Sequence, residues 1–527
     1  MSPRTTAIAL LIVLSGCPKS VPPSAGGSAL SAADSQLTRE VAALGIEALA
    51  LVREQDEQLW AHWTQGARLD LDKPALSHSV LFDEPTLGKI RIARSKGLGD
   101  SVGLLRLESW LVGERLARAT AEANASLAGL EAAATFNLDG KPIAWRDLTR
   151  LLAHEKSALK RRALWAASRE VVPALAAATQ QRDQAVELAL RALGTTAAAY
   201  AGISSDESAA LGKKFLDDTE VQWKQTLELL SKTELGLPAD KLTRAGLPRL
   251  LRPSTAADAS FLKADQAAKA TALLGALGLY GLSGLTLDLA DSAKKNPLPL
   301  TVAPTGAEDV RVSFRPAGGA RDASALLAEL GRALAIHETV EPPQALARLT
   351  GPRMPDASAR LFSDLASNLG WLKSQGASND AAASTILSAQ ALRLFTLRRA
   401  AGNLVAQHEA RGMSDEAAAQ SWQTWSVRAL SVEASPEDAT RWPLERDPLF
   451  RGVELLRAML GAQQLRQKLS EQWWATSAST VILRAAWNEP EKKAPTNSGR
   501  AFPSDAGRTL TPDAGRSLTR PSPDAGG

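Results

Sequence analysis

Apolar residues recur along this chain at three- and four-residue steps, the spacing that lines one face of an α-helix. The first such run begins at about Gln36 and reads LTREVAALGIEALALVREQDEQLWAHW from Leu37, with Ser35 or Asp34 placed to cap it. Further helical runs cover Leu104 to Ala134, Ser157 to Leu193, Glu207 to Leu235, Ala256 to Leu279 and Asn379 to Arg411. An Asp-Gly turn at Asp139-Gly140 punctuates the first pair. Strand patterning is scarce. The best example is DVRVSFRP (309–316), where Val310, Val312 and Phe314 alternate with polar neighbours and Pro316 suits an edge position. The expected fold class is therefore mostly α, with a small β-sheet near 309–316.

Two segments depart from this pattern. Residues 17–35, CPKSVPPSAGGSALSAADS, are rich in Pro, Ser and Gly and read as a flexible tether. From about Pro490 to Gly527 the chain is poor in large apolar residues and repeats a Ser/Pro-Asp-Ala-Gly unit around Asp505, Asp513 and Asp524. Such a segment buries too little surface to offset its ordering entropy, so disorder is expected for 490–527. The helical domain is expected to span 36–489.

Composition agrees with a folded helical body. Of 527 residues, 45% are hydrophobic and 22% charged, enough apolar material for a large core. The formal net charge is +4, with basic and acidic residues interleaved, so no basic stripe points to nucleic acid. The five histidines, His62, His78, His154, His337 and His408, include no pair at i, i+4, which a paired metal site on a helix requires. His337 with Glu341 offers only two donors, at a helix end before Pro342-Pro343, so a surface or capping role is expected for His337. His154 and His408 are expected to face solvent. No Gly-x-Ser-x-Gly elbow and no phosphate-binding loop is present. The thirteen tryptophans sit mostly at helical spacing, as core residues do; the LWAHW cluster could equally line a peptide groove.

The single cysteine, Cys17, follows Arg4, an apolar run from Thr5 to Leu14, and the small residues Ser15 and Gly16. The run is of signal-peptide length, too short to span a bilayer. Leu14-Ser15-Gly16-Cys17 resembles the lipobox of bacterial lipoproteins, in which the thiol is acylated and the chain is cleaved before it. The resemblance implies a signal peptide over 1–16 and a membrane partner engaged through lipid on Cys17. Each buried CH₂ of such chains contributes about 0.8 kcal/mol. Pro18 rather than an aspartate follows the cysteine, which by analogy with lipoprotein sorting points to the outer membrane.

The stretch ALLAELGRALAIHE (325–338) has the rhythm of a metal-binding helix without its histidines. On a helical wheel Leu326, Leu327, Leu330 and Leu334 share one side, and Ala328, Glu329, Arg332 and Ala335 the other. An H-E-x-x-H helix needs two histidines one turn apart with the glutamate beside them as general base. Here Ala328 and Arg332 hold the histidine positions and Glu329 the base position. A methyl has no lone pair and a guanidinium no acceptor, so this face cannot bind zinc in the usual way.

The wider chain resembles the helical zinc metallopeptidases of the oligoendopeptidase and thimet-oligopeptidase kind, in the gluzincin group. DVRVSFRP followed by AGGARDASALLAELGRALA looks like that family's edge strand and metal helix. ASARLFSDLASNLGWL (357–372) looks like its second metal helix, with Arg360 where a glutamate would supply the third ligand and Ser363 matching a family serine. DPLFRGVELLRA (447–458) resembles the segment of a transition-state tyrosine, but Phe450 and Arg451 stand there, and the chain's only tyrosines are Tyr200 and Tyr280. GERLARATAEANASLAGL, DGKPIAWRDLTRLLAHE and KRRALWAASRE look like the helical lid region.

The resemblance implies a large helical fold with a deep central channel. It also implies a site whose metal ligands are lost at Ala328, Arg332 and Arg360, leaving Glu329 as a vestige. No catalytic residue, no metal and no cofactor is expected. Arg332 and Arg360 are expected to replace the cation's positive charge by pairing with Glu329 and Asp364. The function so implied is a lipid-anchored pseudo-metallopeptidase that binds a peptide or protein in the former substrate channel. An active peptidase with non-standard ligands and a structural envelope lipoprotein are the alternatives. Without the resemblance, Glu329 and Arg332 are an i, i+3 ion pair contributing about 0.2–0.5 kcal/mol.

Overall fold

In the computed structural model the first helix, α1 (Ala32–Gln65), starts four residues before the periodic apolar run, because the Ser31 hydroxyl accepts the Asp34 amide at 3.0 Å. The structure describes residues 31–252, 255–339, 349 and 353–489; Cys17, most of the tether and the 490–527 tail lie outside them.

The long runs read from periodicity divide where the backbone turns. Leu104 to Ala134 is two helices, α2 (Ser101–Ala119) and α3 (Ala121–Ala133), broken at Thr120, whose hydroxyl donates back to the Leu116 carbonyl at 2.9 Å. Asp139 and Gly140 both have positive φ, 51° and 75°, and close a hairpin between β1 (Thr135–Leu138) and β2 (Lys141–Ala144). The stretch from Ser157 to Leu193 splits into Ala158–Ala167 and α4 (Val172–Ala192), with Pro173 in the first turn of the second. Glu207 to Leu235 divides at Thr219 into α5 (Ser205–Asp218), opened by a capping box of Ser204 and Glu207, and Glu220–Leu230. Ala256 to Leu279 likewise holds two helices, Thr255–Ala259 and Gln266–Ala276.

A three-stranded sheet, β3 (Leu285–Asp288), β4 (Leu300–Val302) and β5 (Val310–Ser313), has the order β3-β5-β4. The strand expected at an edge is thus the central one. It pairs parallel with β3, Leu285 opposite Val310, and antiparallel with β4, Leu300 opposite Ser313. Its neighbours are only four and three residues long and carry little alternation to announce them. Val310 and Val312 pack under Ala333, so the sheet lies against the next helix.

That helix is α6 (Ala320–His337), and it packs along α7 (Arg353–Ser363). The segment from Ala357 to Leu372 is not one helix: α7 ends at Ser363, and a short 3₁₀ turn (Asp364–Ser367) precedes Leu369–Ser374. The longest of the later helices, α8 (Asn379–Glu409), packs against α5, α9 (Asp415–Leu430) and α10 (Arg451–Lys468); α11 (Ala478–Trp487) closes the described chain. One core joins α6, α7 and α11 through Leu330, Phe362, Trp473 and Trp487, and a second joins α5, α8 and α10. Trp422, Trp473 and Trp474 are buried, as core tryptophans are, whereas Trp60 and Trp63 are half-buried and Trp63 donates to the Leu298 carbonyl at 2.9 Å.

Candidate functional site

The α6 helix is held in place at its start and middle. Asp322 accepts the Ala317 and Gly318 amides, each at 2.8 Å, fixing the turn into the helix. Leu326, Leu327, Leu330 and Leu334 are buried, and so is Ala335, so the apolar face is wider than the wheel suggests. Gly331 sets the approach of α7. A Cβ there would meet the Ser358 carbonyl oxygen at 2.5 Å and the Phe362 ring base at 2.8 Å.

Beside that contact, Glu329 points toward the sheet and accepts the Thr301 hydroxyl of β4 at 2.6 Å. Its other neighbour is the Arg332 guanidinium, with Nε at 3.4 Å. Arg332 also forms an ion pair with Asp356 on α7. Burial works against the charge on Arg332, but Glu329 and Asp356 outweigh it and hold the guanidinium above its ordinary value. The half-buried Ala328 lies on this same helix, one turn before Arg332.

Arg360 belongs to a separate network. Its guanidinium meets Asp364 one turn on at 2.9 Å, and Arg393 of α8 reaches the other oxygen of Asp364 at 3.3 Å. Burial lowers Arg360 below the ordinary arginine value, Asp364 opposing and Arg393 adding to the shift. Among the described residues, the structure joins Arg332 to Asp356 and gives Arg360 different partners. Asp356, Arg360 and Asp364 follow one another at four-residue steps, so they form a single stripe along α7 and its continuation, but the ion pairs along it do not converge on one centre. The Asp356 contact was visible in the sequence only as an aspartate four residues before Arg360; nothing there showed that it faces α6. Ser363 donates to the Arg360 carbonyl at 2.9 Å, an ordinary helix-end bond.

These residues do not fit a zinc ion. Among the described residues no three His, Cys, Asp or Glu side chains are grouped to hold a metal. The position one turn after Ala328 carries a guanidinium already engaged with two carboxylates.

The remaining candidates are dispersed. His337 is half-buried at the end of α6: its ring bridges the Glu338 carboxylate at 3.1 Å and the Ser283 carbonyl at 2.8 Å, tying the helix end to the loop before β3. His408 is half-buried rather than solvent-facing, against Ser205 at 3.2 Å; His154 is exposed. Tyr280 is exposed. Tyr200 lies far from it in sequence, with its hydroxyl against Gly113 of α2. Phe450 adopts the left-handed conformation, φ 56°, as the cap of α10.

A cavity of about 550 Å³ lies between α2, α4, α8 and the start of α10. Arg182, Tyr200, Phe395, Arg399, Arg446 and Arg451 contribute to its lining. Ala328, Glu329, Arg332 and Arg360 do not. The two places adjoin through α10. Burial raises the Glu454 carboxyl, and the charge of Asp356, the partner of Arg332, raises it further. Burial also raises Tyr200, with Glu454 and Glu114 adding to the shift.

No protein-family model matches the sequence, and no curated protein matches it. Among solved structures the fold is similar to the crystal structure of a "putative peptidase from Chlamydophila abortus". The two superimpose with a TM-score of 0.60 at 12% sequence identity, over 87% of this chain and 85% of that one. At that identity the likeness is one of fold: this chain shares the mostly helical architecture of that protein.

Proposed function

We propose that this chain is a peptidase-like protein that binds a peptide or protein without hydrolysing it, held at the bacterial outer membrane by lipid on Cys17. One observation carries the reading. The helix face that would need two imidazoles presents Ala328 and an Arg332 locked between Glu329 and Asp356. A guanidinium so placed supplies positive charge permanently and offers no lone pair, so it stabilises the two carboxylates and cannot activate water as a bound metal does. The similarity of fold to a peptidase supports a cleft suited to extended peptide. The lipobox-like Leu14-Ser15-Gly16-Cys17 supports the anchor, and no described helix is long and apolar enough to cross a membrane.

The test is elemental analysis of the purified protein together with incubation against a mixed peptide library, with and without chelator. The expected result is substoichiometric zinc and no chelator-sensitive cleavage. One zinc per chain with cleavage abolished by chelator overturns the proposal in favour of an active peptidase. Metabolic labelling with a fatty acid tests the anchor: label on the wild type and none on Cys17→Ser is expected.

A further inference from the structure

We infer that the cavity between α2, α4, α8 and α10 is a site for the free C-terminal carboxylate of a short peptide, received by Arg451. The inference rests on the peptide-binding reading above and gives that ligand an end and a location.

Four arginines line the cavity, and three of them are already committed. Arg182 and Arg446 share Asp183, at 2.7 and 3.2 Å. Arg399 donates to Glu445 at 2.7 Å, and Glu445 also takes Arg244 at 3.2 Å. Glu445 is half-buried; burial works to raise its carboxyl, but Arg399 and Arg244 outweigh that and hold it below the ordinary range. These pairs fix the guanidiniums in the wall.

Arg451 differs. It is exposed at the first position of α10 and takes part in no ion pair among the described residues. Glu454, three residues on, feels its charge without an ion pair. Asp447, which also lines the cavity, accepts the Gly452 amide on one of its two oxygens at 2.7 Å. The planar fork of a guanidinium that has no ion-pair partner among the described residues suits a carboxylate.

The rest of the lining suits a peptide body. Leu116, Val186, Phe395, Leu449 and Leu455 provide apolar wall, while Asn124 and Asn403 offer amides for a backbone. The volume falls in the range of small-ligand sites, about 300–1,000 Å³, and accommodates a few residues. A dianion such as phosphate makes less use of the apolar wall.

The experiment is titration of the purified full chain with a library of N-acetyl tetrapeptides, in two forms: free C-terminal acid and C-terminal amide. The acid form is expected to bind about ten- to a hundredfold more tightly, the worth of a charge-assisted hydrogen bond. Arg451→Gln is expected to abolish that difference, and Arg451→Lys to restore part of it. Because Arg451 is exposed and takes part in no ion pair among the described residues, Arg451→Gln is expected to melt with the wild type, which separates lost binding from lost folding. Equal binding of acid and amide, or an Arg451→Gln protein that still prefers the acid, overturns the assignment while leaving peptide binding intact. Displacement of the acid peptides by inorganic phosphate at equal concentration overturns it in favour of a general anion site. Failure of both peptide forms to bind overturns this inference and the peptide-binding reading together.

Discussion

Arg332 on α6 and Asp356 on α7 form an ion pair across the helix contact that Gly331 makes possible. The pair joins the helix that presents Ala328 and Glu329 to the helix that follows. Both members are partly exposed, so the energy involved is modest.

The coupling between them is therefore expected at about 0.5–1 kcal/mol. A double-mutant cycle of Arg332→Met and Asp356→Asn, read by urea denaturation, measures it. A coupling indistinguishable from zero would show that the pair contributes nothing to holding α6 on α7.

Gly331→Ala is expected to cost more than either of those changes. The added methyl meets the Ser358 carbonyl oxygen and the Phe362 side chain, and the two helices must move apart. Overpacking of this kind costs about 1–3 kcal/mol. Thermal melts compare the variant with Gly129→Ala, at a position where a Cβ has nothing within 4 Å. Equal melting of the two variants contradicts the packing argument.

Arg398 is the most demanding buried group. It is fully buried and donates to the Ala429, Leu216 and Arg428 carbonyls, to the Thr219 hydroxyl and to Glu220 at 2.6 Å. It thereby ties α8 to the ends of α5 and α9. Arg398→Met removes one charge and leaves several acceptors without a donor, an expected loss of about 3–5 kcal/mol. Chemical denaturation measures it, and a loss below about 1 kcal/mol would mean that solvent or rearranged neighbours satisfy those groups.

Glu114 provides a pH signature. Burial raises its carboxyl above the ordinary glutamate value of 4.5, with the Gln55 amide, 2.9 Å away, opposing. The folded state then holds the proton to higher pH than the unfolded chain. The contribution to stability is full below the unfolded value and declines as pH rises through the raised one. Glu114→Gln keeps an acceptor for Gln55 and cannot ionise. It is expected to be more stable than the wild type at pH 8 and no more stable at pH 4. Melts at the two values decide it, and a stabilisation that is the same at both pH values would contradict the titration argument.

Periodicity and punctuation were enough to read the helical class, the strand at 310–313 and the long helix from Asn379, because a repeat of 3.6 or 2 is a local property of the chain. That Ala328 and Arg332 offer no lone pair was equally plain, since side-chain chemistry does not depend on where the helix goes. Tertiary structure decided the rest. It broke Leu104 to Ala134 at Thr120 and placed β5 at the centre of its sheet, because strand order depends on partners too short to announce themselves. It gave Arg332 to Asp356 and Arg360 to Asp364 and Arg393, and it left Arg451 facing a cavity. Which charge finds which partner is settled by how helices pack, and a helix carries no mark of the neighbour it will meet.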